Sequence, residues 1–409
     1  MITSQQALDI ILSNAQDFGS EEISFTKSQG RTLKEDIKAD RDFPPFNRVS
    51  MDGIAISYKA FTEGRRDFRI ENIQAAGSEQ LALKNEANCI EVMTGAVVPK
   101  NTNAVIRYED LIIENEVATI GVETISNHQN IHEQGKDRKE GDVLIKKNKI
   151  ISAAEIGVLA TVGKSMVTVA KQPKVLIIST GDELVEVAEK PLSYQIRRSN
   201  VHTLVSLLER LQLKADSVHL PDDKPLLKEK IAQQLITYDV LLFSGAVSKG
   251  KFDFLPEVLE ELGVKKQFHK VKQRPGKPFW FGTFEPLTES ERTEKKEMKT
   301  VVFAFPGNPV STFVGCLNYF YPWYKKSIGV VYKNYDKAIL AKDVSFKPDL
   351  TYFLQVQLEN RKGLLVAVPV TGNGSGDLAN LVNVDAFLVL PNNQTDFKTG
   401  GAYPIIKYR

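Results

Sequence analysis

Cysteine is almost absent from this chain: Cys89 and Cys316 are the only two in 409 residues. They lie far apart inside apolar sequence, with no CxxC and no flanking histidine at metal-ligand spacing. A thiolate-bound zinc or an iron–sulfur cluster therefore cannot be built from this chain alone. Both read as reduced core residues, a pattern that favours the cytoplasm. Histidine is sparse as well, and His128, His132, His202, His219 and His269 show no i, i+4 pairing, which leaves a histidine-based nucleophilic triad without support. There is no long apolar run and no signal-peptide pattern, so no membrane segment is expected. An excess of one charge is also missing. With 53 basic and 51 acidic residues spread evenly, for a net charge of +2, the chain lacks the basic footprint of a nucleic-acid binder. Neither GxxxxGK[ST] nor a GxGxxG opening a helix occurs, which excludes a P-loop nucleotide hydrolase.

What is present is an ordinary globular composition, 42% hydrophobic and 25% charged, on a chain too long for one core. Thr3 and Gln6 are spaced as a capping box, and Ala7, Leu8, Ile11, Leu12 and Ala15 follow at helical spacing. A second box, Ser152 to Glu155, opens a short helix closed by Gly163. Between these helices the texture changes to short strands, Gly53 to Tyr58, Cys89 to Met93 and Ala104 to Tyr108, separated by Gly, Pro and Asn clusters. This reads as a small β-rich domain inserted into a helical one.

From Lys174 the pattern becomes βαβ. The runs Val175 to Ile178, Asp239 to Phe243 and Val301 to Phe305 are continuously apolar, as fully buried parallel strands require. Val201, Leu204, Val205, Leu208 and Leu211 mark one face of a helix expected to be capped near Ser199 or Asn200. With right-handed crossovers these elements predict a three-layer α/β/α domain. Glu285 to Lys299 is charged and aperiodic, which reads as a loop or hairpin tip. After about residue 330, Thr351 to Leu358, Leu364 to Pro369 and Ala386 to Leu390 read as strands of a closing β domain.

Four motifs fall where strands hand over to loops or helices: Ser179-Thr180-Gly181-Asp182-Glu183, Ser244-Gly245-Ala246-Val247-Ser248-Lys249-Gly250, Arg274-Pro275-Gly276-Lys277-Pro278 and Pro306-Gly307-Asn308-Pro309. Ligands of open α/β sheets bind at the carboxyl ends of the strands, where Gly- and Ser-rich loops offer free N–H groups to anions. Each motif alone matches a simple turn, and Asp222-Asp223 before Pro225 matches a solvated turn equally well. In register, they describe a phosphate site. Carboxylates held beside it, Glu183, Asp222 and Asp253, call for a shared hard cation, for which Mg²⁺ is the natural candidate. Arg274 and Lys277 flank a rigid Pro-Gly elbow that would bring two cations into one pocket, with Lys270 a little further back; a scattered surface lysine remains the plain alternative for Lys270. Pro306 to Pro309 would leave a helix N-terminus open to an anion.

These residues resemble the molybdopterin molybdenumtransferase family, which also includes the C-terminal domain of gephyrin. The likeness begins at Asp42 to Asn47 and Ser50-Met51-Asp52-Gly53. It continues through Met93-Thr94-Gly95-Ala96, Gly135-Lys136-Asp137 and Gly141-Asp142, takes in the four motifs, and ends at Gly374-Ser375-Gly376. It implies a multidomain α/β protein, with residues 1–42 and 135–172 forming an elongated N-terminal domain and 43–134 an inserted β-rich domain. Residues 173–330 would form the doubly wound molybdopterin-binding domain and 331–409 a β-barrel-like C-terminal domain.

The reaction implied is insertion of molybdate into adenylylated molybdopterin with release of AMP, in the presence of Mg²⁺. The resemblance places Asp52, Asp137, Glu183 and Asp253 in catalysis and Glu183, Asp222 and Asp253 on the metal. Thr94, Lys270, Arg274, Pro306, Pro309 and Ser375 carry over as ligand-binding positions, and Ser179, Thr180, Gly181, Ser244, Gly245, Ser248, Lys277 and Asn308, read from the motifs themselves, would bind the ligands with them. It further implies a homodimer, with Asp52 and Thr94 acting across it, and a molybdopterin adenylyltransferase or molybdoenzyme-maturation proteins as partners. Three departures bear on anion affinity: Ala246 where the family usually has glycine, Phe353 without its usual flanking arginines, and Glu91 where many members have arginine. The competing readings are a molybdopterin adenylyltransferase and a catalytically silent scaffold.

Overall fold

The computed structural model describes residues 1–245, 247, 254–285, 298–330 and 336–409. They form two compact units, one of Met1–Lys34, Asn148–Ser152 and Val167–Arg409, the other of Glu35–Lys147 and Ala153–Met166.

The larger unit is built on a six-stranded sheet: β1 (Val175–Thr180), β2 (Ala215–Leu220), β3 (Val240–Ser244), β4 (Lys265–His269), β5 (Trp280–Phe284) and β6 (Thr300–Phe305). The order is β2-β1-β3-β6-β5-β4, the first four parallel and the last two antiparallel. Every residue of β1, β3 and β6 is buried because helices cover both faces, which is why these strands read as unbroken apolar runs. On one face Ile177, Leu242, Phe303 and Phe305 pack against Val201, Leu204 and Leu208 of the helix Ser199–Glu209. On the other, Ile178, Leu241 and Val302 pack against Leu227 and Ile231 of the helix Lys224–Thr237 and Leu259 of Leu255–Glu261. The expected three layers are thus present.

The first helix, Ser4–Ser13, carries the capping box read from Thr3 and Gln6 and buries Ala7, Leu8 and Ile11. The helix Ser199–Glu209 has Arg198, not Ser199 or Asn200, in the cap position, with no side-chain cap. The Asn200 amide is engaged elsewhere, as described below. Of the charged segment, residues 286–297 lie outside the described residues; its flanks pair antiparallel, with Phe284 opposite Thr300.

Beyond residue 336, strands Lys337–Leu340, Thr351–Arg361, Leu364–Pro369, Ala386–Leu390 and Ala402–Lys407 pair into a closed ring. Val271–Arg274 pairs in parallel with the start of Thr351–Arg361, with Gln273 beside Thr351 and Arg274 beside Tyr352. The motif Arg274-Pro275-Gly276 is thereby anchored to the barrel-like sheet.

The smaller unit centres on a second six-stranded sheet, with Gly53–Ile56 between Asn88–Val92 and Ala104–Arg107. Ile54, Phe68 and Ile106 are buried on one face and Ala55, Ile90 and Val105 on the other. Its short helix Ala153–Thr161 is followed by Gly163 at φ +70°. Cys89 and Cys316 are buried free thiols, and burial pushes the Cys89 pKa up to about 12. Among the described residues no helix is long and apolar enough to cross a membrane.

Candidate active site

Strands β1, β3 and β6 end at one level. Ser179 stands beside Ser244, and Ser244 beside Phe305. Since β1 connects to β2 on one side and β3 continues toward β6 on the other, this is the topological switch point, where a crevice opens. The chain leaves β1 through Gly181 at φ +133° and β3 through Gly245 at φ +113°. A Cβ on Gly245 would stand 3.1 Å from both the carbonyl and the hydroxyl oxygen of Thr180, so the two loops approach closely only because this residue is glycine.

A cavity of about 530 Å³ lies over these ends. Ser179, Thr180, Gly181, Glu183, Asp222, Ser244, Gly245, Asn308 and Pro309 line it, together with Arg197, Arg198 and Asn200. Ser179 and Thr180 are buried beneath it, and the Ser179 hydroxyl is 3.0 Å from Nδ1 of His219. Burial, then the neighbouring Arg198, lowers the His219 pKa and favours its neutral form. The Asp222 N–H donates to Asp182 at 3.1 Å, binding the ends of β1 and β2 together. Asp223 accepts from the N–H of Leu226 and caps the next helix, so of this acidic pair Asp222 alone lines the cavity.

A second cavity, about 610 Å³, adjoins the first, and Asn308 and Gly376 line both. Its walls carry Arg274, Lys277, Pro306 and Ser375, with Tyr352, Phe353 and Gln355 from the barrel-like sheet, and, among the described residues, no carboxylate. Neither Arg274 nor Lys277 has an ion-pair partner among the described residues, so both charges remain available to an anion. A buried polar network holds the elbow between them. Gln273 Nε2 donates to the carbonyls of Pro275 and Gly276 at 3.2 and 3.1 Å, and its Oε1 accepts from the Tyr319 hydroxyl, which also contacts Ser4 Oγ at 2.9 Å. Tyr319 belongs to a π-helical turn, Cys316–Phe320, interposed between the helices Pro309–Gly315 and Tyr321–Ser327. Such turns recur at functional sites. Phe353 fills its place as a buried wall residue, and Gln355 accepts from Asn380 at 2.6 Å.

Lys270 lines neither cavity. It turns the chain at φ +72° between β4 and the strand Val271–Arg274, beside His269, whose Nε2 lies 3.2 Å from the Val247 carbonyl. Ser248, Asp253 and Ala246 lie outside the described residues. Glu183 and Asp222 share the first cavity and could hold a hard cation, which needs only one or two carboxylates beside phosphate oxygens. Among the described residues no group of three or more His, Cys, Asp or Glu could hold a metal by itself.

In the smaller unit, Asp52 Oδ1 accepts from the Thr94 N–H at 2.6 Å. Hydrogen bonds from the Thr94 backbone, then its side chain, hold the Asp52 carboxyl below its usual range. Gly53 is at φ +157°, and a Cβ there would overlap the Ile106 carbonyl oxygen at 1.8 Å. Glu91 accepts from the Tyr108 hydroxyl; burial and this carboxylate push the Tyr108 pKa up. Asp137 Oδ1 lies 2.9 Å from His132 Nε2, and Arg48 lies 3.4 Å from the other ring nitrogen.

Sequence reasoning missed Asn200, Arg198, Gln273 and His132. Asn200 Nδ2 donates to Ser244 Oγ at 2.9 Å and to the Gly307 carbonyl at 2.7 Å, tying together the loops after β3 and β6. Its position directly after Ser199, where a cap was expected, was the available signal.

A doubly wound sheet with Gly–Ser loops at its switch point defines an open α/β domain of the ligand-binding kind. Comparison with known proteins gives the family. Residues 2–163 match the family model described as MoeA N-terminal region (domain I and II). Residues 176–326 match the probable molybdopterin binding domain, and 337–407 the MoeA C-terminal region (domain IV). A molybdopterin molybdenumtransferase of Synechocystis is 38% identical over 99% of both chains, and one of Staphylococcus aureus is 29% identical over 99% of this chain and 95% of the relative. The crystal structure of the molybdopterin biosynthesis MoeA protein from Pyrococcus horikoshii superposes with a TM-score of 0.82 at 26% identity, covering 100% of each chain. The chain belongs to the MoeA family of molybdopterin molybdenumtransferases.

Proposed function

We propose that this chain inserts molybdate into adenylylated molybdopterin with release of AMP, the closing step of molybdenum cofactor assembly. The observation that carries the reading is the pair of adjoining cavities meeting at Asn308 and Gly376. One offers Gly–Ser loops and a helix N-terminus to a phosphorylated ligand. The other offers Arg274 and Lys277, with no carboxylate among the described residues of its wall, to a small oxyanion. A reaction that joins a phosphorylated dithiolene to molybdate needs two such places side by side.

The Gly181 N–H and the start of the helix at Ser199 would bind and orient the phosphates, with the Ser179, Thr180 and Ser244 hydroxyls beside them. Arg274 and Lys277 would hold the oxyanion and offset charge developing as AMP leaves. Mg²⁺, held by Glu183, Asp222 and Asp253, would supply neutralising charge on the diphosphate. Asp52, ionised under its Thr94 hydrogen bonds, and Asp137, steadied by His132, would orient water or the oxyanion. We assign these two carboxylates to a site completed in a homodimer, with Asp52 and Thr94 contributed by the second copy. The cytoplasm is the compartment proposed, and a molybdopterin adenylyltransferase and molybdoenzyme-maturation proteins are the proposed partners.

The test is AMP release from adenylylated molybdopterin with and without molybdate, with Glu183→Ala as control. Release that depends on molybdate and is lost in the variant supports the reading. A folded variant releasing AMP at the wild-type rate removes Glu183 from it.

A further inference from the structure

The first cavity contains a cation that none of the four motifs includes. Arg198 occupies the cap position of the 11-residue helix Ser199–Glu209 and lines the cavity beside Thr180 and Gly181. Its side chain is 14% exposed, and Nη2 pairs with Glu186 at 2.5 Å. Its Nε, by contrast, is buried and has no hydrogen-bond partner among the described residues. The Thr180 hydroxyl is in the same condition, on a residue only 4% exposed. Buried donors are almost always satisfied, so two left open at one cavity, one at the end of β1 and one at the start of a helix, are a sign of a missing acceptor.

The chemistry of that acceptor follows from the surroundings. A guanidinium fork, a hydroxyl and a helix N-terminus together favour a phosphate, whose oxygens can accept from all three. The cavity needs such a cation. Glu183 and Asp222 line it and would repel a phosphate, and Arg197 and Arg198 are the basic residues that line it with them. The Arg197 Nε already donates to the Glu189 carbonyl at 3.1 Å. Arg198 and Thr180 both line the cavity wall.

We propose that Arg198 is a substrate-binding residue that, with Thr180 and the N-terminus of its helix, takes a phosphate of the ligand. The Glu186 carboxylate holds the guanidinium ready at the wall until the phosphate arrives. The identity of the ligand rests on the function proposed above; its chemical class does not.

The experiment uses the full chain and two readouts. Inorganic pyrophosphate and AMP are titrated calorimetrically into the wild type, Arg198→Gln and Arg198→Lys, and KM and kcat for adenylylated molybdopterin are measured on the same proteins. Loss of a charge-assisted hydrogen bond predicts pyrophosphate binding weakened about 10-fold or more in Arg198→Gln. KM should rise by a similar factor while kcat changes less, and Arg198→Lys should recover part of the loss because it restores charge without the fork. Thr180→Val should weaken pyrophosphate as well. An Arg198→Gln protein that melts like the wild type and binds pyrophosphate within twofold of it overturns the proposal, as does a wild type that binds no pyrophosphate. Wild type that binds pyrophosphate through Arg198 but never releases AMP leaves this proposal standing and removes the proposed reaction.

Discussion

Ser179 and Ser244 are lateral neighbours on the last shared rung of β1 and β3, one hydroxyl facing His219 and the other held by the Asn200 amide. Each is followed within two residues by a glycine at positive φ. The rung therefore sets the height at which both phosphate loops begin, and Asn200 links that height to the Gly307 loop after β6.

Asn200→Ala removes this tie. It should raise KM for the phosphorylated ligand about 10-fold with a loss of about 1–3 kcal/mol in stability, the usual cost of stranding partly buried hydrogen-bonding groups. Steady-state kinetics and thermal melts check it. Unchanged KM would mean that the loops hold their positions without the link.

Arg274→Ala and Lys277→Ala should each raise the KM for molybdate by about 10-fold or more, as expected for hydrogen bonds to a charged group. Their effect on binding of AMP alone should be smaller. Equal losses for both ligands would place the oxyanion elsewhere than in the second cavity.

Tyr319→Phe strands the buried Oε1 of Gln273. The expected destabilisation is about 1–3 kcal/mol, and the slackened elbow should also weaken molybdate binding. A variant that loses stability but keeps its molybdate KM would limit the network to a structural role.

The pH dependence of stability should carry the mark of His219. Its folded pKa lies below the ordinary value of 6.5, so as pH falls through 6.5 the unfolded chain takes up the proton first, and folded stability declines until the folded pKa is passed. His269, also lowered by burial, acts in the same direction. Melting temperature should therefore fall as the pH drops through the ordinary histidine value of 6.5, and less steeply in His219→Gln. Parallel slopes for wild type and variant would contradict the assignment.

Much of this was legible in the sequence for a physical reason. Strands buried on both faces must be apolar throughout, and loops that approach anions need glycine, so Val175 to Gly181, Asp239 to Gly245 and Val301 to Gly307 announce themselves locally. Glu183 could be read as a cavity residue because it follows such a strand. Arg198, Asn200 and the Gln273–Tyr319 pair could not. Asn200 meets Ser244 across 44 residues and Tyr319 meets Gln273 across 46, contacts that exist only once the sheet and its helices have packed. The antiparallel partners β4 and β5 were equally hidden, since Lys265 to His269 is polar on its exposed positions and lacks the unbroken apolar run of the central strands.

The most direct measurement is AMP release from adenylylated molybdopterin by the full chain with Mg²⁺, comparing no oxyanion, molybdate and tungstate. The account predicts release stimulated by an oxyanion, reduced by Arg274→Ala through the oxyanion's KM, and abolished by Glu183→Ala. Tight binding of the adenylylated ligand with no AMP under any condition would contradict it.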